Sequence, residues 1–554
     1  MKPSNNRLPG TTGRIATWMW VALMWSLMTM AACSSGGNNA EAPAPLAACD
    51  PNNPATANEC GTVLVGFTDA DGDFLNYTVD VLSLTLRTAG GRVVETLPLK
   101  TRINFTDYVD LTEFVTAASI PPGIYVSGSI RLDYSNAEVL VEAGGEPKPA
   151  LVVDADGNTL TEAEYRIVLS DRDRLVITRG RPSWLTVDFD LDASHSVDVL
   201  STPALATAEP FIVAEIDPVD TKEIRVRGRL IDTNEADMYY TVAIRPFHDL
   251  TGDFGRMQVN VHDNTVFEVN SVEYAGVAGL RALNAAGQGT LTIAQGTLDV
   301  DLREFTADLV LAGSSVPGTD RDAVRGNVIA RSGNELTVRG ATIIRPGLGA
   351  YFHDDVVVKI GPDTKVFKTG HPGAGLDISA ISVGQRVTIY GNVTANDAAR
   401  VHLDATAGAV RMYVTHLAGL VNSIVPGQTD IELHAIDRRR VQIFDFSGTG
   451  TGPDTDADPD NYEVATGNLF MNPVATGRPV VLYGFPNAFG AAPPDFEGRT
   501  IVDFSDVRST LGIGWGSEGT VAPFLSIGTD GLVLDNQNPD IDVRHHIKQG
   551  PVLI

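Results

Sequence analysis

From Gly61 onward, apolar and polar residues alternate with a period of two, in "GTVLVGF", "YTVDVLSLTLRT", "GRVVETLPL", "GIYVSGSIRLDY", "YRIVLS", "DRLVITRG" and "SWLTVDFDLDAS". Alternation sends successive side chains to opposite faces of an extended chain, so each run predicts a half-buried β-strand. The intervening "AGG", "PPG" and "DADGN" carry the residues that tight turns require. One stretch, "DYVDLTEFVTAAS" from Asp107, has helical spacing and predicts a short helix. Residues 61–215 are therefore expected to form one β-sandwich with a short helix, inside a chain that is all-β.

The second half repeats itself. "VRGNVI" and "LAGLVN" place Gly326 and Gly419, while "VGQRVTIYGNVT" and "TGRPVVLYGFPN" place Gly384 and Gly391 against Gly477 and Gly484. All three pairs are separated by 93 residues, and Tyr390 and Tyr483 each precede the last glycine. A fainter copy lies upstream, with "VRGRLI" at Gly228, "DNTVFEV" from Asp263 echoing "DTKVFKT", and "GQGTLTIAQG" echoing "GQRVTIYG". Three tandem modules are thus expected at 219–317, 320–410 and 411–515, followed by a tail at 516–554 that is either part of a further module or an edge strand on the third. Modules of about a hundred residues with five or six short strands close most easily as small barrels of the oligonucleotide/oligosaccharide-binding type. Open sandwiches are the alternative, because strand spacing does not report closure.

The N-terminus has a different pattern. Arg7 and Arg14 precede the run "IATWMWVALMWSLMTMAAC", which ends in small residues and is followed by "SSGGNNAEAPAPLAA". Basic flank, short apolar core and small-residue end predict a secretory signal rather than a spanning helix, and the polar stretch after it reads as a flexible linker. "MAAC" resembles the bacterial lipobox, with Met30 in the place usually held by Leu. The resemblance implies cleavage after residue 32, acylation of Cys33 and, with Ser34 following, an outer-membrane address. Residues 1–33 are then the signal region and 34–60 the linker, which contains Cys49 and Cys60. An oxidising envelope lets these two close a disulfide, which would stabilise by about 3 kcal/mol at most. Two thiols without a nearby histidine make a poor zinc site.

Further resemblance covers the first 215 residues. "GTVLVGFTDADGDFLNYTVDVLSLTL", "VDLTEFVTAASIPPGIYVSGSIRLDY" and "VDFDLDASHSVDV" are similar in order and content to a family of bacterial and archaeal envelope lipoproteins with an N-terminal β-domain of unknown function. The modules in turn resemble repeated barrel units of unknown function in bacterial lipoproteins, whose signature is a strand, a "D-T" turn and "VGQ.V.V.G". Neither resemblance implies an activity.

Charge narrows the partners. With 69 acidic against 41 basic residues and a net charge of −28, the chain lacks the basic surface that nucleic acid requires, and it is repelled by anionic lipid. Membrane contact is expected through the acyl anchor alone, and cations are the ligands that such a surface attracts. Glycans and other envelope proteins are the candidate partners.

Catalytic motifs are sparse. "WGSEG" has Trp515 where a nucleophile elbow needs glycine, and no H-E-x-x-H, C-x-x-C or phosphate loop occurs. "FHDD" at His353 is the one histidine beside two carboxylates and is expected in a solvated loop. In "VDFDLDAS", Asp188, Asp190 and Asp192 share one strand face opposite Val187, Phe189 and Leu191, the ordinary signature of a half-buried strand. Calcium is the candidate cofactor, and three acidic stretches offer carboxylates for it. In "TDADGDFLNY", counting from Asp69 puts Asp71, Asp73 and Asp80 at EF-hand ligand positions, but Gly72 falls at position 4 and Phe74 occupies the glycine position. "DADGNT" from Asp154 reads as a hairpin turn. "DTDADPDNYE" alternates Asp454, Asp456, Asp458 and Asp460, with Glu463 close by. It is the better candidate cation loop, with a disordered acidic insertion as the alternative. The leading expectation is a non-catalytic, lipid-anchored envelope protein with a binding or structural role. The other readings are an envelope polysaccharide hydrolase using an acidic pair and a calcium-dependent adhesion or matrix protein.

Overall fold

The computed structural model describes Cys49, Thr56 and, with short interruptions, residues 59–553. Cys33, Asp69, Asp71 and Asp73 lie outside the described residues. Cys49 and Cys60 form a disulfide with a Cα–Cα separation of 5.0 Å, and Glu59 beside it pairs with Arg179.

The fold is all-β. The strands from 61 to 215 divide between two sheets whose buried faces share one hydrophobic core, including Val63, Phe67, Tyr77, Phe105, Tyr165 and Phe189. The expected helix at Asp107–Ser119 is instead a single turn of 3-10 helix, Phe105–Tyr108, followed by the strand Leu111–Ile120. Seven of the first seven residues of that strand are buried. A strand covered on both faces has no reason to alternate, and its near-continuous run imitates helical spacing. The expected alternation through Asp192 also stops early: the strand Ser183–Asp188 gives way to a helical turn at Leu191–Ser194.

Leu111–Ile120 also joins the two halves of the chain. It pairs antiparallel with Gly61–Thr68 on one side and parallel with Glu223–Asn234 on the other, so one ten-stranded sheet runs across the boundary expected near residue 217.

Beyond that boundary, each repeat is a closed circuit of five hydrogen-bonded strands. The first ring uses Glu223–Asn234, Tyr239–Ile244, Arg256–Val269, Leu291–Asp299 and Glu304–Ala312. The second uses Asp322–Ser332, Glu335–Arg345, Gly349–Lys359, Arg386–Asn396 and Val401–Met412. The third uses Thr415–Val425, Gln428–Ile436, Tyr462–Ala465, Pro479–Pro486 and Phe496–Asp503. Numbered along the chain, the strands of every ring are ordered 1-2-3-5-4 and back to 1, and only the contact between strands 3 and 5 is parallel. The first ring inserts the helix Gly276–Ala286 between strands 3 and 4.

The repeated glycines sit where this register needs them. Gly296, Gly391 and Gly484, all on strand 4, pair with Ile224, Asp322 and Thr415 on strand 1. A Cβ at these positions would collide with the backbone carbonyl of Thr306, Asp404 or Glu497 on strand 5. The strands cross too closely there for any side chain. Gly384 and Gly477 turn the chain into strand 4 with φ of 90° and 78°. Gly391→Ala should therefore destabilise by about 1 to 3 kcal/mol in chemical denaturation, the usual range for forced overpacking. Gly452→Ala, where a Cβ meets nothing within 4 Å, should stay within about 0.5 kcal/mol. Equal effects at the two sites would remove the close-approach explanation.

Near the C-terminus, Ser509–Gly512, His546–Gln549 and Val552–Leu553 form a three-stranded sheet. Val552 is fully buried and lies against strands 1 and 4 of the third ring.

Candidate functional site

The acidic loop 454–463 is an ordered part of the third ring, inserted before its third strand. Two turns of 3-10 helix, Pro453–Thr455 and Pro459–Asn461, shape it, each with proline in its first turn. Its carboxylates work locally. Asp456 Oδ1 accepts from the Gly450 amide at 2.9 Å, and Asp458 Oδ1 caps the second turn by accepting from the Asp460 amide at 3.1 Å. Ala457 points inward, its amide donating to Thr449 Oγ1 at 2.9 Å. Asn422 Nδ2 holds the Asp460 carbonyl at 2.8 Å. Asp454, Asp458 and Asp460 are exposed and Asp456 is half-buried. Among the described residues, no three His, Cys, Asp or Glu side chains converge as a metal-ligand group.

Beneath the loop lies a small recess lined by Ser382 and Val383 from the second ring and by Phe446, Thr449, Ala457, Tyr462, Asn487, Ala492 and Asp495 from the third. It has space for about one water-sized occupant. Asp495 is 5% exposed. Its Oδ2 accepts from the Glu463 amide at 2.8 Å, whereas its Oδ1 is buried without a hydrogen-bond partner. Burial, then the neighbouring Glu463, Asp458 and Asp430 charges, push the Asp495 carboxyl up to about 7 against the pull of that one amide. Glu463 is raised as well, by burial and by Asp430. The acidic pattern in the sequence includes Glu463 and misses Asp495, which is 32 residues further on and carries no local signal beyond the turn-forming "APPDF".

The other candidates resolve into structural roles. Asp154 makes the expected hairpin turn, accepting from the amides of Asp156 and Asn158 at 2.9 and 2.8 Å, with Gly157 at φ 81°. Those bonds, from Asn158 first, hold its carboxyl below the ordinary range. "FHDD" is not in a loop: His353, Asp354 and Asp355 lie on strand 3 of the second ring. Arg339 forks onto Asp355 at 2.8 and 3.0 Å, and His353 Nδ1 lies 3.0 Å from the Asp355 carbonyl.

Polar contacts concentrate at the seams between units. Glu113, fully buried, pairs with Arg225 and Arg227 where the N-terminal sheet meets the first ring. Arg411 and Glu268, each 1% exposed, pair between the second and first rings, with Glu273 Oε1 at 3.7 Å from Arg411 Nη2. Tyr390 donates to the Ser315 carbonyl at 2.7 Å across the same seam. Between the second and third rings, Asn327 Nδ2 donates to Asp437 at 2.5 Å and Arg331 lies over the Phe489 ring at 4.5 Å.

Compared with known proteins, the chain matches no family model and no curated protein.

Proposed function

We propose that the chain is a lipid-anchored protein of the bacterial cell envelope with a non-catalytic binding or structural role. In this reading, Cys33 carries the acyl chains at the outer membrane, and residues 34–60 tether a β-sandwich followed by three small barrels of oligonucleotide/oligosaccharide-binding type. The strand order shared by the three rings supports the barrel assignment, because a five-stranded circuit of mostly antiparallel strands is what that type consists of.

The observation that carries the structural role is the chain of buried polar contacts at successive seams. Glu113 with Arg225, Glu268 with Arg411 and Asn327 with Asp437 tie each unit to the next, as suits a continuous body that presents surface rather than one that opens and closes around a reaction. The hydrolase alternative would need a general acid and a base beside a sugar-sized cleft. Asp495 and Glu463 come closest in electrostatics, but the recess at Asp495 has space for about one water. A glycan or another envelope protein is the partner this reading expects.

Cys33→Ala should abolish labelling by radioactive palmitate and leave the unprocessed precursor, while the folded domains still show the Cys49–Cys60 link in unreduced peptides. Undiminished labelling would end the anchor proposal. Crosslinking in intact envelopes followed by pull-down then identifies the partner.

A further inference from the structure

Where residues 34–60 run into the N-terminal domain, several turns stand side by side. Glu59 pairs with Arg179, and Gly61 lies so close to Ile177 and Thr178 that a Cβ there would collide with both. Val176 and Ile124 face each other on paired strands, and the Ala89 amide donates to the Ile124 carbonyl at 3.1 Å. The turn at 88–92, the strand start at Ile124 and the turn at 178–181 therefore form one tip. Arg92 belongs to it: burial raises the pKa of the Tyr125 phenol, and the nearby Arg92 charge opposes that rise.

Two features coincide at this tip. Val93, Ile124 and Val176 are 48%, 42% and 45% exposed, whereas Tyr125, Leu175 and Ile177 beside them are buried. The exposed three thus stand on the outer face of the sheet, where single apolar residues are ordinary but a facing pair with a third nearby leaves a patch uncovered. The same segments carry Arg87, Arg92, Arg174, Arg179 and Arg181, all exposed, against the acids Glu59 and Glu95. Glu59 is taken by Arg179, and Glu95 Oε1 accepts from the Leu84, Thr96 and Leu97 amides at 2.9, 3.2 and 3.1 Å. In a chain of net charge −28 this reverses the sign locally. Charges more than about 8 Å away are screened at physiological ionic strength, so a surface approaching this tip meets the arginines and not the net charge.

We propose that the tip docks on the anionic lipid surface of the bilayer, with Val93, Ile124 and Val176 entering the headgroup region and Arg92, Arg174 and Arg181 meeting lipid phosphates. Apolar side chains that bury area among basic ones that pair with phosphate are what a peripheral membrane contact consists of. The proposal rests on the reading of Cys33 as the acylated residue, because the tether from that anchor enters the fold at this tip and raises its effective concentration at the bilayer. Repulsion from anionic lipid is then a property of the remaining surface, and membrane contact extends beyond the acyl chains. Each arginine at such a surface strengthens association about 5-fold, so three contribute about 100-fold.

The test places the mature, acylated protein on vesicles of phosphatidylcholine alone and of phosphatidylcholine with about 30 mol% phosphatidylglycerol, and follows amide exchange on both. Exchange at 88–92, 122–125 and 178–181 should be about 5-fold slower or more on the anionic vesicles. That difference should vanish above about 0.5 M salt and in the triple variant Arg92→Glu, Arg174→Glu, Arg181→Glu, whose exposed positions leave folding intact. Equal exchange on the two vesicles, or slowing that survives the triple variant, overturns the docking. Slowing produced by soluble pyrophosphate on neutral vesicles overturns it too, by assigning the arginines to a free anion. Flotation separates this result from the anchor reading, since protein that floats with neutral vesicles is anchored whatever the tip does. Failure to float there removes the anchor; flotation with anionic vesicles alone, lost in the triple variant, would still sustain the tip, and flotation with neither overturns both.

Discussion

Arg411→Met should destabilise the protein by about 3 to 5 kcal/mol, the range for leaving one half of a buried ion pair uncompensated. Arg411 sits on strand 5 of the second ring and reaches Glu268 on strand 3 of the first, both 1% exposed. Its guanidinium also lies over the Phe367 ring at 5.2 Å. With the guanidinium gone, the Glu268 carboxylate must be protonated, draw water into the seam or pull the rings apart, and each is costly. Pairing the substitution with Glu268→Gln removes the stranded charge, so the double variant should recover most of the loss. Equilibrium urea denaturation of the four proteins in the cycle measures this, with a coupling of about 2 kcal/mol or more expected for groups in direct contact. Single variants that each cost under about 1 kcal/mol, with additive effects, would show that the seam is held by packing alone.

That seam also shows where sequence reading stops. Alternation was legible because most strands in the first 215 residues have one buried face, and the 93-residue offset was legible because ring closure imposes a register. Gly391 and Gly484 must face the strand-5 carbonyls wherever strands 1 and 4 pair. By contrast, Leu111–Ile120 misleads because its first seven residues are buried on both faces, in a strand whose parallel partner lies more than a hundred residues further along the chain. The acidic loop was legible as charge but not as structure. Its order comes from prolines and side-chain caps acting together with Asn422 on another strand. Asp495 has no acidic signature beyond the turn-forming "APPDF", since its partner Glu463 lies 32 residues earlier, on strand 3 of the third ring. Pairs such as Glu268 with Arg411 are equally invisible: a charge in a strand reads as a solvent-facing position until a neighbouring domain covers it.

The N-terminal core should lose stability as the pH falls from about 6.5 to about 4, through one residue. His195 is 8% exposed. Its Nε2 lies 2.7 Å from the Tyr77 hydroxyl, and its Nδ1 lies 3.0 Å from Ser194 Oγ and 3.3 Å from the Leu191 carbonyl. Phe74, Phe189 and Tyr77 surround the ring edge to face, and the Tyr134 and Tyr165 hydroxyls extend the network at 3.3 and 2.7 Å. Burial lowers the imidazole from 6.5 to about 4, with the Leu191 carbonyl opposing. Between those values the unfolded chain binds the proton and the folded chain does not. The stabilising contribution is therefore complete above pH 6.5 and is lost as the pH falls toward 4, amounting to about 3 kcal/mol at 1.36 kcal/mol per pH unit. His195→Gln keeps a side chain able to hydrogen-bond Tyr77 but cannot charge, so it should be less stable than wild type at pH 7.5 and close the gap by pH 4.5. Denaturant midpoints for both proteins across that range provide the measurement, because carboxylates common to the two cancel in the difference. A gap that stays constant with pH would mean that His195 titrates alike in the folded and unfolded chain, and that the Tyr77, Tyr134 and Tyr165 network tolerates a charge at its end.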